Sequence, residues 1–206
     1  SACPPACLPA CLPAYLPDIM EPTHVETKKG GGRFFLESMT ADLVKRVYEV
    51  EIESYPEDEA ASQEGIQMRL EEAPEHFCVL LQKGEEGEGD KSSLAGFVNG
   101  TCTSGTTLTH ETMETHEKDG RTLCIHSVVI HQDFRRRGVG SEMLKAYVRR
   151  YTETGKQRGI DRILLLCHEY LLPFYEKTGF QLVGKSGVVH GSEVWFEMRM
   201  EVGREK

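Results

Sequence analysis

The residues best suited to chemistry lie in one stretch that has the pattern of a strand, a turn and a helix. From Thr122 to Tyr151, a run of apolar and β-branched residues is followed by RRRGVGS and then by apolar residues at helical spacing. The first N–H groups of a helix have no intrahelical acceptor, and the helix dipole adds partial positive charge at the same end. We therefore predict that the turn binds an anion such as a diphosphate.

The side chains of the turn favour the same prediction. Its arginines add full positive charges, and its two glycines let the backbone approach a ligand and adopt angles that other residues resist. The turn matches neither the G-x-G-x-x-G fingerprint of dinucleotide-binding folds nor the G-K-[ST] of a Walker loop. The predicted binding residues are Arg135, Arg136, Arg137, Gly138, Val139, Gly140 and Ser141.

A metal site is not expected in this sequence. The polar segment from Thr106 to Gly120 contains His110 and His116, but HETMETHE is not the H-E-x-x-H pattern of zinc enzymes. The H-x5-H spacing also fails to place both imidazoles on one face of a helix. We predict a solvated loop or a short surface helix here.

A second motif, LLPFYEKTGF, lies further along the chain and helps to interpret the turn. Together, R-x-x-G-x-G and this motif resemble the GNAT superfamily of acyl-CoA-dependent N-acetyltransferases, and within it the arylalkylamine (serotonin) N-acetyltransferases. The resemblance runs from about residue 77 to residue 201, and the missing Cys-Pro-Leu tripeptide indicates a non-vertebrate type. It implies that acetyl-CoA is the co-substrate and that the turn cradles its pyrophosphate. It also implies that Val128, Val129 and Ile130 bind the pantetheine arm like an added strand.

The resemblance further implies catalytic roles on this strand. An alkylammonium with a pKa of ~10.4 is less than about 0.1% neutral at pH 7, so a base must accept a proton before the amine attacks. His126 is the candidate base. Relatives carry a second histidine two residues earlier, on the same face, where this sequence has Cys124, a poor base. The proton route through His126, alone or with water or a carboxylate, therefore stays open, as does a ping-pong route through acetylated Cys124.

Tyr175 matches the tyrosine of the family and is expected to contact the co-substrate. Its phenol, with an ordinary pKa of ~10, is a suitable donor to a departing thiolate whose conjugate acid lies near ~8.5. Phe174 and Phe180 on either side are predicted core residues. A backbone N–H near Val128 is expected to polarise the thioester carbonyl.

An aromatic-lined slot is predicted for the amine. Such a slot suits an arylalkylamine of the tryptamine, serotonin, phenylethylamine, tyramine or dopamine type. The acidic loop at Glu57, Asp58 and Glu59 leaves a polyamine or protein-amine substrate as an alternative, and a catalytically idle CoA-binding module is a third. The predicted substrate-binding residues are Tyr55, Pro56, Val128, Leu165, Trp195 and Phe196.

These groups must be positioned by elements whose order predicts an α/β domain. An amphipathic helix opens at Thr40, with Leu43, Val47, Val50 and Ile52 predicted to point inward, and a short helix follows over residues 65–73. Strands are predicted at 76–82 and 94–103, and the apolar run at 160–167 predicts a buried strand parallel to 123–130. A helix at 171–178 and a closing antiparallel pair complete the order. The GNAT resemblance implies a mixed, mostly antiparallel sheet, with helices on both faces and a splayed parallel pair at its centre.

Composition and charge limit the possible functions and the domain organisation of the chain. The 206 residues carry a net charge of −9, which argues against general nucleic-acid binding, and no apolar run approaches the ~20 residues of a membrane span. We predict a disordered Pro/Cys-rich tail with a glycine hinge over residues 1–32 and one acetyltransferase domain over 33–206. A docking peptide, a lipidated cysteine cluster or a metal clip are the alternatives for the tail. Cysteines in strand-like runs and the lack of a signal-peptide pattern indicate a cytoplasmic protein, and a monomer is expected.

Overall fold

The computed structural model describes residues 21–27, 32–84, 92–153 and 159–202. Its strands are β1 (Thr23–Val25), β2 (Arg33–Ser38), β3 (Cys78–Lys83), β4 (Ser92–Thr103), β5 (Thr122–Ile130), β6 (Arg162–His168), β7 (Gln181–Lys185) and β8 (Trp195–Glu201). Its α-helices are α1 (Val44–Ile52), α2 (Gln63–Glu72), α3 (His110–Glu114), α4 (Val139–Thr152) and α5 (Leu172–Lys177).

The strands form one sheet in the order β1-β2-β3-β4-β5-β6-β8-β7. Every pairing is antiparallel except that of β5 with β6, which is parallel, as predicted. Helices cover both faces: α4 and α5 pack in one core, and α1 and α2 in the other. The α/β architecture inferred from the sequence is therefore confirmed.

The centre of the sheet opens in two ways. β5 pairs with β6 only from Thr122 to Ile125, and the rest of β6 pairs with β8 alone. On its other side, β5 pairs Ser127 with Asn99 and Ile125 with Gly100, so His126 is the extra residue of a bulge. The strands therefore separate beyond Ile125, next to the residue that the sequence nominates as a base.

Two details differ from the predictions. Thr23–Val25 falls in the range assigned to the tail, yet it pairs with β2 as the edge strand, so the folded part begins before Arg33. Ile52, predicted to point inward, is 48% exposed, because the buried face of the helix is formed by Val44, Val47, Val50 and Glu51. The remainder of the predicted tail, residues 1–20 and 28–31, lies outside the described residues.

Cys78, Cys102, Cys124 and Cys167 are buried, and no disulfide links them among the described residues. No group of three or more potential metal ligands is found among the residues that the structure describes. Within the same ranges, no helix has both the length and the apolar character needed to cross a membrane.

Candidate functional site

The predicted anion-binding turn has the backbone geometry of a concave N–H cradle. Gly138 precedes the first residue of α4 with φ 81°, and Arg136 also has a positive φ of 61°. Left-handed residues alternating with other conformations turn successive N–H groups toward one point, which is how backbone nests bind anions. The free N–H groups of the first turn of α4 continue that surface.

The two glycines have different roles. A Cβ atom on Gly138 would meet nothing within 4 Å, so glycine is favoured there by its backbone angle. On Gly140 a Cβ atom would lie 3.1 Å from Cγ1 of Ile130, so glycine lets the start of α4 pack closely against the end of β5. Val139 is fully buried in the core, and only its main chain can contact a ligand.

The arginines of the turn also differ from one another. Arg135 donates from Nε to the carbonyl oxygen of Ile130 (2.8 Å) and from Nη2 to the hydroxyl of Ser54 (2.8 Å), so it fastens the turn to β5 and to the loop after α1. Arg135 and Arg136 both line the large cleft described below. Arg137 is exposed and does not line that cleft.

A cleft of about 1160 Å³ runs from the turn across the separated strands. This outer cleft contains most of the side chains predicted to bind the co-substrate or the amine. They are Tyr55, Pro56, Val128, Val129, Ile130, Arg135, Arg136, Tyr175, Trp195 and Phe196.

Leu165 is a correction to the predicted amine pocket. It is 1% exposed and packs in the core formed with α4, whereas its neighbour Leu166 lines the cleft. Successive residues of a strand face opposite sides of the sheet, so the uniformly apolar run gave no indication of which leucine faces the ligand.

Behind the outer cleft lies a smaller inner chamber of about 90 Å³. Apolar and aromatic side chains form part of its wall. Polar and charged residues form the rest, namely Glu51, Glu59, Arg69, His126, Ser127 and His190. Tyr55, Glu59, Leu166 and Trp195 line both cavities and therefore form the wall between them.

His126 faces the inner chamber with a defined tautomer. The hydroxyl of Thr101 donates its single hydrogen to the carbonyl oxygen of Thr112 (2.9 Å), so it must accept from Nε2 of His126, which lies 2.7 Å away. The Nδ1 lone pair is then free, and Nδ1 is buried without a partner among the described residues. Burial and, to a lesser extent, Arg69 hold the pKa of His126 well below its usual value, so the ring is neutral at pH 7.

Glu51 and Arg69 supply opposite charges to the chamber. Oε1 of Glu51 accepts from the N–H of Ala61 (3.0 Å) and from the hydroxyl of Ser127 (3.2 Å). Burial raises the pKa of Glu51 and lowers that of Arg69. Oε2 of Glu51, Nε of Arg69 and Nδ1 of His126 are all buried without a described partner, which is the environment that ordered water satisfies in proteins.

Cys124 and Tyr175 occupy different environments. Cys124 is fully buried among Leu108 and Leu164, and burial raises the pKa of its thiol to about 12, so a reactive thiolate is disfavoured. Tyr175 reaches the outer cleft while its ring packs edge-on against Phe174 and Phe180. Burial raises the pKa of its phenol well above the usual value.

Val128 provides a backbone donor near the separated strands. Its N–H is hydrogen-bonded to the phenolic oxygen of Tyr55, whose pKa is raised by burial, so this oxygen accepts as a neutral phenol. Both residues line the outer cleft. The N–H that was predicted to polarise a carbonyl therefore lies beside the cleft and is hydrogen-bonded to the side chain of Tyr55.

The sequence did not identify several residues of the two cavities. Glu51 could have been found, because it stands at helical spacing from Val44 and Val47 on the buried face of α1. Arg69 stands three residues after the buried Ile66 in the same way. The pair formed by Glu59 and His168 gave no local signal, because its members are far apart in the chain.

The sequence is similar to one protein family and to several known proteins. Residues 42–180 match the family model described as "Acetyltransferase (GNAT) family". The serotonin N-acetyltransferase of Mesocricetus auratus is 35% identical over 124 residues, which span 60% of this chain and 58% of that protein.

Solved structures resemble the fold at low sequence identity. The loading GNATL domain of CurA from Lyngbya majuscula has a TM-score of 0.67 at 10% identity, covering 82% of this chain and 97% of that domain. The GphF GNAT-like decarboxylase in complex with isobutyryl-CoA has a TM-score of 0.64 at 14% identity, covering 81% and 98%.

Proposed function

Because this chain belongs to the acetyltransferase (GNAT) family, we propose that it transfers an acetyl group from acetyl-CoA to the primary amine of a small arylalkylamine. One observation carries the proposal. A single cleft begins at Arg135 and Arg136, at the start of the turn, and runs along Val128–Ile130 and past Tyr175 to the aromatic side chain of Trp195. It therefore joins a surface suited to a diphosphate to one suited to an aromatic ring.

The co-substrate fits the polar end of this cleft. The cradle of residues 136–141 would bind the pyrophosphate, and the edge of β5 at Val128–Ile130 would pair with the amide groups of the pantetheine arm. β5 is free to pair there because it no longer pairs with β6. A CoA ester in the GphF decarboxylase supports this choice of ligand.

The amine would approach from the side of Tyr55, Pro56, Trp195 and Phe196. The likeness to serotonin N-acetyltransferase supports an aromatic amine, and the aromatic and apolar wall supports it independently. Attack by the neutral amine forms the C–N bond at the carbonyl carbon, while the C–S bond breaks and its electron pair leaves with the thiolate. The amine loses its second proton as the thiolate becomes a thiol.

Two side chains would assist this step. Tyr175 would donate a hydrogen bond to the sulfur; since its pKa is raised, complete proton transfer to a thiolate is uphill and stabilisation by the hydrogen bond dominates. His126 would receive or relay a proton through water in the inner chamber, which its free Nδ1 lone pair faces.

The high pKa of Cys124 supports direct transfer in a ternary complex over an acetylated thiol. The buried described cysteines, none of them in a disulfide, support a reducing compartment such as the cytoplasm.

The test is an assay of CoA release with a panel of amines and the full chain. Tryptamine, serotonin, phenylethylamine, tyramine and dopamine should be turned over with a higher kcat/KM than spermidine or a lysine peptide. Preference for spermidine would instead favour a polyamine acetyltransferase, in keeping with the carboxylates Glu169 and Glu193 on the cleft. Acetyl-CoA binding without turnover of any amine would identify a CoA-binding module.

A further inference from the structure

The wall between the outer cleft and the inner chamber contains a buried carboxylate. Among the four side chains that line both cavities, only Glu59 carries a charge. Its side chain is 2% exposed, although it lies in a loop rich in exposed acidic residues. A carboxylate is costly to bury unless it is paired and hydrogen-bonded.

His168 provides that partner at the end of β6. Its Nε2 atom lies 3.0 Å from Oε2 of Glu59, and a carboxylate can only accept, so Nε2 carries the hydrogen. A second proton arriving at the ring must therefore bind Nδ1. Unlike His126, which faces only the inner chamber, His168 lines the outer cleft together with Tyr175 and Val128.

Three separate segments hold this pair in place. The imidazole of His168 packs against the indole of Trp195, with ring centroids 4.2 Å apart, and stacks on Tyr170 at 5.6 Å. His190 donates from Nε2 to the carbonyl oxygen of Glu59 (3.0 Å), and the indole N–H of Trp195 donates to the carbonyl oxygen of His190. A Cβ atom on Gly191 would lie 2.8 Å from Cγ of Glu59, so the loops are closely packed. The pair is thus built rigidly from the ends of β6 and β8 and the loop before α2.

We propose that His168, oriented by Glu59, is the group that first accepts the proton of the substrate ammonium. This inference rests on the proposed function. The proton moves from R–NH3⁺ to Nδ1 of His168, which yields the neutral amine and an imidazolium whose charge is balanced by Glu59. The amine then attacks, its remaining proton goes to the thiolate, and the imidazolium returns its proton to solvent through the open cleft.

This assignment changes the roles of the neighbouring groups. His126 becomes a positioning residue that orders the inner chamber. Other ionisable side chains face the same cleft, but within the described parts of the chain Glu59 is the one ionisable side chain hydrogen-bonded to His168. These other groups are Arg135 and Arg136 from the turn, Tyr55, Tyr170, Tyr175 and Cys167, and the charged residues Glu169, Lys185 and Glu193.

The test compares the pH dependence of kcat/KM in wild type and His168→Gln with the best amine of the panel. Glutamine can still donate a hydrogen bond to Glu59, so the wall between the two cavities is retained. The imidazole that would accept the proton is lost. We expect kcat/KM to fall about 10²-fold at pH 7, and the loss to shrink about tenfold for each pH unit above 7, because the neutral fraction of the amine rises in that proportion. Acetyl-CoA binding, measured by calorimetry, should be unchanged.

His190→Gln is the matched control, since His190 also orients Glu59 but does not line the outer cleft. Any loss in His190→Gln should be the same at pH 7 and at pH 9. Unchanged kcat/KM in His168→Gln, or a loss that is equal at both pH values, would overturn the inference while leaving the acetyltransferase in place. A wild-type chain that acetylates no amine would instead overturn the proposed function.

Discussion

Nε2 of His126 lies 2.7 Å from the hydroxyl oxygen of Thr101, and this one contact decides which imidazole nitrogen has a free lone pair. Because Thr101 is buried at the bulge between β4 and β5, the two residues are fixed by the sheet. The free Nδ1 atom is thereby held toward the chamber that contains Glu51 and Arg69.

Thr101→Val should release this constraint. The valine methyl cannot accept from Nε2–H, so we expect nitrogen NMR of His126 to show a mixture of neutral tautomers and kcat to fall about tenfold at most. Thr103→Val is a suitable control, because Thr103 is equally buried on the same strand but donates to Glu117. A single tautomer retained in Thr101→Val would contradict the assignment.

Tyr175→Phe tests the role of the phenol. Loss of the hydrogen bond to the leaving thiolate should lower kcat by about 10²-fold, with the Kd of acetyl-CoA changed by less than about threefold. Tyr147→Phe makes the same chemical change at a distant buried site, where the hydroxyl donates to the carbonyl oxygen of His76 (2.8 Å). It should cost about 1 kcal/mol of unfolding free energy and leave kcat unchanged. Equal values of kcat in wild type and Tyr175→Phe would remove Tyr175 from the mechanism.

Gly138→Ala tests the cradle. Alanine at φ 81° is strained by about 1–2 kcal/mol, and relief of that strain would turn the N–H groups away from their common point. We expect CoA to bind about tenfold more weakly by calorimetry, whereas pantetheine, which lacks the diphosphate, should bind as in wild type. Gly187→Ala is the control, because a Cβ atom there meets open space without a positive φ. If CoA and pantetheine weaken together, the turn does not bind the diphosphate.

The sequence predicted the elements well where periodicity and turn chemistry agreed. The strand, glycine turn and helix from Thr122 to Thr152 have both signals, and the parallel partner predicted at residues 160–167 has the uniform apolar run of a buried strand. Because this run is uniformly apolar, it did not indicate which of Leu165 and Leu166 faces the cleft. The edge strand Thr23–Val25 was missed because a three-residue strand follows a proline-rich segment and gains its stability from pairing with β2.

Contacts between distant segments account for what was missed in the site. Glu59 and His168 are brought together only by closure of the sheet, and no local spacing connects them. Glu51 was overlooked because its hydrophobic neighbour Ile52 was the more obvious inward residue. Helical geometry overrides composition there, since Glu51 shares the buried face with Val44, Val47 and Val50, whereas Ile52 lies outside it.

The buried His126 should make stability depend on pH with a definite sign. Its folded pKa lies below the unfolded value of ~6.5, so between these values only the unfolded chain takes up the proton. Stability is therefore retained above pH 6.5 and lost as pH falls, by up to about 1.4 kcal/mol per pH unit from this group. Glu51, with a raised pKa, contributes with the opposite sign, so a comparison of two proteins is needed to isolate His126.

Chemical denaturation of wild type and His126→Gln at pH values from 7 to 5 provides that comparison. The difference in unfolding free energy between the two proteins should shift in favour of the variant as pH falls. Glutamine can still donate to Thr101, so the local hydrogen bond is retained. A difference that is constant with pH would show that the imidazole is protonated equally in both states.

Tyr55→Phe tests whether Val128 supplies the donor for the thioester carbonyl. In the structure the Val128 N–H is bonded to the phenol of Tyr55, so an acyl oxygen must compete with that phenol for the same hydrogen. Removing the hydroxyl should therefore improve binding of acetyl-CoA relative to CoA by about 2–10-fold, corresponding to about 0.5–1.5 kcal/mol for one hydrogen bond. CoA has no carbonyl at this position and serves as the internal control in calorimetry without amine. If the ratio of the two dissociation constants is the same in wild type and Tyr55→Phe, the carbonyl does not bind at Val128, and the oxyanion must be stabilised elsewhere in the cleft.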